Sequence, residues 1–329
     1  MKVLFIGGTG ILSSACAARA VEKGFRLTLI NRKQSIRPPV HGARILQADI
    51  HEPNALKNAV ADENFDVVVD FIAFTPDHVQ RDLDIFTGKT GQYIFISSAS
   101  AYQTPPSTLP FRESTLLENP IWEYSRNKIA CEELLVRAYR DNKFPFTIVR
   151  PSHTYDQCSV PIEGGFTVLD RMIKSKPVIV HGDGSSIWIL THHRDFAKGF
   201  VGLLGNSHAI GEVFHITSDE WLTWNQIYQI LGKAAGVEPQ LVHVPSDLIA
   251  AYNKTIGDSL LGDKTHSAIF DNSKIKQVVP EFNANIPFSQ GAAEIVAWHL
   301  ADPSRQMIDP AFNALCDRVL ENYHKAWPE

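Results

Sequence analysis

A strand that breaks into glycines and restarts as a helix leaves a chain few choices of fold. Val3, Leu4, Phe5 and Ile6 are apolar strand formers, Gly7, Gly8, Thr9 and Gly10 follow, and a small-residue helix is predicted from Ser13 to Ala20. Glycine tolerates positive φ and carries no side chain, so the turn can be tight. A pyrophosphate can then reach the unpaired N–H groups and positive dipole end of the helix. The glycines alone would also suit an ordinary αβ turn. Their flanks argue for a dinucleotide-binding βαβ unit, because the turn follows a strand, opens a helix and is succeeded by a second strand over Arg26 to Asn31.

Strand-like runs recur at Ala43 to Gln47, Asp66 to Phe71, Gln92 to Ser97 and Phe146 to Arg150, with helix-length segments between them. Such alternation predicts an α/β fold with a Rossmann-type, doubly wound parallel sheet whose ligands sit at the carboxyl ends of the strands. At 329 residues the chain is longer than one such domain needs. After Arg150 its character changes. Pro151, Pro161, Gly164 and Gly165 mark a loop, a helix is predicted from Phe166 to Lys174, and a strand over Val178 to His181. Glu212 to Thr217 reads as a returning strand, and Trp224 to Ala235 as a helix capped by Thr223. Two closing helices are predicted at Ser289 to Leu300 and Pro310 to Ala326. The expected organisation is a dinucleotide-binding domain over residues 1–160 and a smaller, interleaved substrate lobe over 161–329 that partly returns to the Rossmann sheet.

A formal net charge of −5 offers no broad basic surface, so nucleic acid is not an expected partner. No apolar run approaches the ~20 residues that span a bilayer. The phosphate turn begins so near Met1 that a cleavable leader would remove it, and Cys16, Cys131, Cys158 and Cys316 lie far apart with no CxxC spacing. Reduced thiols in a cytoplasmic protein are the expectation. His192 and His193 are neighbours and point in different directions, so no metal site is expected there. Trp221 and Trp224 flank a helix start and are read as core, and Asp70 and Phe74 should lie near the ligand crevice.

Tyr124 and Lys128 stand one helical turn apart in Glu123–Tyr124–Ser125–Arg126–Asn127–Lys128. A phenol titrates near ~10, too high for proton transfer at neutral pH, and a neighbouring cation would lower that value. By itself the spacing is common on solvated helix faces. The strand before it, however, ends in Ser97, Ser98, Ala99, Ser100, Ala101 and Tyr102, hydroxyls at the carboxyl edge of the sheet. A serine there can bind a substrate oxygen while a tyrosine gives or takes its proton, although serines also form ordinary turns.

Taken together, the GGTG turn, ISSASAY, YSRNK, RPSHTYD and the GDGSSIW…HHRD segment resemble the extended or atypical short-chain dehydrogenase/reductases, the NAD(P)-dependent epimerase/dehydratase family. The resemblance implies that Tyr124 is the acid/base. Lys128 would hold the cofactor ribose and depress the tyrosine, and Ser98, four residues before Tyr102, would orient the substrate. It implies cofactor contacts at Gly7, Thr9, Gly10, Ile11, Leu12, Asn31, Asp49 and Ile50, with Asp49 at the adenine ring. At the end of the second strand an acidic residue would accept bonds from the ribose of NAD; this chain has Asn31, Arg32 and Lys33. Arg32 can clamp a 2′-phosphate, so NADP is the expected cofactor and NAD the alternative.

Two departures bear on the substrate. The third glycine of the fingerprint is Ser13. In sugar-nucleotide members an arginine grips the substrate diphosphate, and that position holds Trp188, while the asparagine of the RPxNxYG-like segment is His153. Both changes weaken the nucleotide-sugar reading, though Arg171, Lys174 or Lys176 could compensate. The function implied is hydride transfer on a carbohydrate or sugar derivative, nucleotide-linked or not, with Ser98, His153 and Trp188 on the substrate. The alternative is a non-catalytic or RNA-associated NADP-binding member of the atypical branch. Oligomeric state is not written in the sequence, a homodimer being one option.

Overall fold

The computed structural model describes every residue except 33, 34, 39, 53, 62 and 327–329. Its first half alternates β1 (Lys2–Ile6), α1 (Ile11–Glu22), β2 (Arg26–Asn31), β3 (Arg44–Gln47), α2 (Ala55–Ala59), β4 (Phe65–Asp70), α3 (Pro76–Phe86), β5 (Thr90–Ile96), α4 (Glu123–Asn142) and β6 (Phe146–Pro151). The second half adds β7 (His153–Tyr155), α5 (Phe166–Ile173), β8 (Val178–His181), β9 (Ile187–Trp188), β10 (Leu190–His192), α6 (His193–Leu203) and β11 (Glu212–Ile216). It closes with β12 (Leu222–Thr223), α7 (Trp224–Ala234), β13 (Leu241–Val244), α8 (Ser246–Tyr252), α9 (Lys254–Ser259), α10 (Ser273–Val278), α11 (Phe288–Leu300) and α12 (Pro310–Lys325).

The main sheet has seven strands in the order β11-β6-β5-β4-β1-β2-β3. Every pairing in it is parallel, with Val3 opposite Leu27 on one side and Val67 on the other. The order reverses between β1 and β4, which is where a doubly wound sheet opens its crevice. Both faces are buried, as a parallel sheet requires. Val3 and Phe5 pack with Cys16 and Ala17 of α1 and Phe196 and Phe200 of α6. Leu4 and Ile6, pointing the other way, pack with Leu83 of α3 and Leu135 of α4. Beyond residue 160, α6 and β11 return to this sheet, while Trp188, Trp224, Phe166 and Phe288 build a separate core.

Element ends shift by a residue or two from the sequence-based expectations, and the capping box of Thr223 and Gln226 opens α7. Trp224 is core at 2% exposure, but Trp221 is 58% exposed. Trp221 precedes the two-residue strand β12 and is left largely exposed, so its core expectation fails.

Candidate active site

The turn after β1 is built by Gly7 and by Ser13. Gly7 adopts φ +83°, and a Cβ there would fall 2.6 Å from Ile72 Cγ2. Ser13, in the place of the expected glycine, is buried; its Oγ accepts from the Gly10 N–H at 2.8 Å and donates to the Gly7 carbonyl at 2.7 Å. Serine therefore does more than fit, since it laces the turn to the first turn of α1. The N–H groups of Ile11 and Leu12 open that helix without intrahelical partners. Gly7, Gly10, Ile11 and Leu12 all border one cavity of about 420 Å³ at the carboxyl ends of the sheet. A bare backbone cradle at a helix N-terminus fits a pyrophosphate.

The same cavity takes in Ser98, Tyr124, Lys128, His153 and Trp188. Ser98 follows the end of β5 and caps a single 3₁₀ turn, Ala99–Ala101. Its Oγ lies 2.9 Å from Ser100 Oγ, which accepts from Ser125 Oγ at 2.7 Å, so the hydroxyl is held by a short chain of partners. Tyr124 and Lys128 lie in the first two turns of α4, on the face turned to the sheet. Lys128 is fully buried; its Nζ donates to the carbonyls of Ala73 and Ile96 at 2.7 and 2.8 Å and sits 5.8 Å from the Tyr124 ring centroid. Burial pushes the ammonium down to about 8, against the opposing pull of Cys131, Asp70 and Glu132.

The phenol departs from its expectation. Burial raises Tyr124 above its ordinary value, a hydrogen bond from Ser98 opposes the rise, and the Asp263 carboxylate adds to it. Lys128 is not among the groups that shift the phenol; its Nζ is turned to the carbonyls of Ala73 and Ile96. Beneath the site, Arg150 at the end of β6 donates to both oxygens of Glu132 on α4, and Ser97 Oγ donates to Glu132 Oε1. That buried pair fixes β5, β6 and α4 against one another.

His153 and Trp188 are joined: the Trp188 indole N–H donates to His153 Nδ1 at 3.1 Å. Burial, helped by Lys264, holds His153 down to about 3, so the ring is neutral. With Nδ1 accepting, its proton is on Nε2, a donor. Trp188 is 5% exposed and stacks on Trp224 at 5.4 Å between centroids. The expected compensation for the missing arginine is absent. Arg171 is buried and bound to the Pro177 carbonyl, Asn313 and Asp317, and Lys174 pairs with Asp170, all away from the cavity. Lys176 is exposed and does not border the cavity either.

The remaining predicted contacts lie outside that cavity. Thr9 accepts at its carbonyl from Ser35 Oγ at 2.9 Å. Arg32, beyond β2, comes within 3.8 Å of Asp49, beyond β3, and Asn31 and Ile50 are buried beside them. Lys33 lies outside the described residues. Phe74 borders the cavity, but Asp70 does not; it is fully buried, accepting from the Ile72 N–H at 2.6 Å and paired with Arg81. Among the described residues no group of three or more His, Cys, Asp and Glu could hold a metal, and no helix is long and apolar enough to cross a membrane.

Sequence reasoning missed one wall. A π-helical turn at Leu260–Lys264 turns Asp263 and Lys264 into the cavity, beside His266 and Phe270. The Lys264 carbonyl accepts from His181 Nε2 and Trp224 Nε1, both at 3.1 Å, and Asn119 Nδ2 donates to the Gly262 carbonyl at 2.7 Å. Burial raises Asp263 to about 6, against Lys264. The only sequence signal was the polar run Asp263–Lys264–Thr265–His266 in a proline-punctuated, mixed region.

Comparison with known proteins agrees with this architecture. Over 258 residues the chain is 30% identical to the chloroplast stem-loop binding protein of 41 kDa b of Arabidopsis thaliana, covering 74% of this chain and 65% of that protein. It is 24% identical to the 2'-dehydrokanamycin reductase of Streptomyces kanamyceticus, covering 86% of this chain and 80% of the enzyme. Among solved structures, the epimerase Mth375 of Methanothermobacter thermautotrophicus superposes with a TM-score of 0.76 at 15% identity, over 93% of this chain and 94% of that one. The UDP-glucuronic acid 4-epimerase of Bacillus cereus, solved with UDP-glucuronic acid and NAD, superposes with a TM-score of 0.73 at 20% identity, over 91% and 100%. These likenesses carry the fold. Because the sequence profile of the NAD dependent epimerase/dehydratase family matches residues 3–217, on the same turn, strands and site helix described above, the chain belongs to that family.

Proposed function

We propose that the protein is an NAD(P)-dependent oxidoreductase, epimerase or dehydratase that works by hydride transfer on a carbohydrate or sugar derivative, with NADP as the preferred cofactor. The observation that carries this reading is the meeting of Ser98, Tyr124 and Lys128 in the cavity bordered by Gly7 and Gly10. A nicotinamide bound there supplies hydride transfer at a carbinol or carbonyl carbon. Ser98, fixed by Ser100 and bonded to the phenol, orients the substrate oxygen, and Tyr124 gives or takes its proton. Lys128 has one N–H left after Ala73 and Ile96, and offers it to the cofactor ribose. Arg32, 57% exposed at its side chain and loosely paired with Asp49, is free to turn to a 2′-phosphate, while Asp49 and Ile50 flank the adenine. The lobe from residue 161 onward then closes the substrate side, together with His153 and Trp188.

Tyr124→Phe tests the reading. NADPH oxidation and NADP reduction are followed with a panel of sugars and keto sugars. The variant is expected to lose at least about 100-fold in turnover while binding NADPH as before. Unchanged turnover removes Tyr124 from the chemistry.

The second reading, an RNA-associated protein on the same fold, takes its support from the plant relative named for stem-loop binding. The net charge of −5 weighs against it. RNA affinity falling steeply with salt, without NADPH turnover, would favour it.

A further inference from the structure

Among the described residues bordering the cavity there are two lysines, and both already have partners that balance or hold their charge. Lys128 is committed to two carbonyls. Lys264 lies 3.8 Å from Asp263 and 5.2 Å above the Trp122 ring. Among the described residues bordering the cavity there is no arginine. Trp188 fills the position where a diphosphate grip would be expected, and its one donor is taken by His153. Among these residues a nucleotide diphosphate would therefore meet Lys264 alone as an available cation, with the Asp263 carboxylate beside it to offset that charge.

What the wall offers instead is an acceptor. Asp263 makes no hydrogen bond through its side chain among the described residues, and its partner is the long contact with Lys264. The turn that bears it is pinned through the carbonyls of Gly262 and Lys264, so the carboxylate is held in place. A partly buried carboxylate of this kind calls for a donor from the ligand. The same cavity is bordered by His153 with its Nε2–H, Ser98 and the rings of Trp122, Phe74 and Phe270, surfaces suited to the hydroxyls and C–H faces of a sugar.

We propose that the substrate is a saccharide without a nucleotide diphosphate, oriented by Asp263, whose carboxylate accepts from a substrate hydroxyl or ammonium group. This inference rests on the hydride-transfer reading of the same cavity and names its substrate class.

The test is calorimetric titration of the NADPH-saturated protein with glucose, glucosamine, maltose, UDP and UDP-glucose, repeated on Asp263→Asn. At least one of the three saccharides is expected to bind, with affinity falling tenfold or more in the variant, and UDP and UDP-glucose are expected to give no heat. A preference for glucosamine over glucose that disappears in the variant identifies the donor as an ammonium; equal binding of the two identifies a hydroxyl. Binding of UDP or UDP-glucose overturns the proposal, as does saccharide binding that is the same in both proteins, or no saccharide binding at all. The UDP titrations on the unaltered protein need no variant to fold. Failure of the hydride-transfer reading looks different: turnover would survive Tyr124→Phe, whatever the titrations gave.

Discussion

Replacing Asp263 by asparagine isolates what it costs to hold a carboxylate in the cavity. Burial moves its titration from 3.8 to about 6. A carboxyl raised in this way binds its proton more tightly in the folded chain than in the unfolded one. Its contribution to stability is therefore fully present below 3.8 and is lost as pH climbs through about 6. At about 1.4 kcal/mol per tenfold change in proton affinity, the loss at about pH 8 is about 3 kcal/mol. Asparagine, which does not ionise, escapes it. That figure already includes the pull of Lys264, which opposes the rise. Asp263→Asn should thus be the more stable protein by about 3 kcal/mol at about pH 8, roughly 4 °C in midpoint for a chain of this length. The two proteins should converge below about pH 3, where the wild-type carboxyl is neutral in both states. Thermal unfolding of both, followed by circular dichroism across that pH range, measures the difference. A gap that stays constant with pH, or that favours the wild type at about pH 8, refutes the desolvation of Asp263.

Other perturbations probe the framework. Glu132→Gln strands the buried Arg150 guanidinium and should cost about 3–5 kcal/mol, read by thermal unfolding. Ser13→Ala removes both bonds that lace the glycine turn and should destabilise by about 1–2 kcal/mol while weakening NADPH binding, read by fluorescence titration. Tyr155 buries a hydroxyl with no partner among the described residues, so Tyr155→Phe should be neutral or more stable by about 1 kcal/mol in denaturant unfolding. Arg32→Gln should weaken NADPH binding about tenfold or more while leaving NADH nearly unchanged; equal losses for the two would remove Arg32 from the 2′-phosphate.

The parallel sheet was legible because its signals are local. Val3–Ile6 is a continuous apolar run, Arg26–Asn31 carries Leu27, Leu29 and Ile30, and each is closed by glycines or polar residues. Ser98, Tyr124 and Lys128 were legible for a related reason, since a strand end and one helical turn fix them within thirty-one residues of one another. Asp263 could not be found that way. It reaches Tyr124 across 139 positions of sequence, on a π-helical turn that no periodicity announces. Charge state also escaped the sequence. The spacing of Tyr124 and Lys128 suggested a cation lowering a phenol, but burial raises the phenol, and Lys128 Nζ is turned to the carbonyls of Ala73 and Ile96. Trp221 and Trp224 differ by position alone, and only packing separates the exposed ring from the buried one.

The cavity face of the 260–270 wall is tied down through its main chain. His181 and Trp224 bind the Lys264 carbonyl, Asn119 binds that of Gly262, Phe111 donates its N–H to the Ile269 carbonyl, and Ala268 donates its own to Ile187. Those bonds do not depend on the side chains at 263, 264 and 266. These three can therefore be exchanged without breaking them, whereas Tyr124 and Lys128 each depend on their own functional atoms. Descendants of such a chain can change diet by drift over a few adjacent codons, while the machinery on the opposite wall stays under separate constraint.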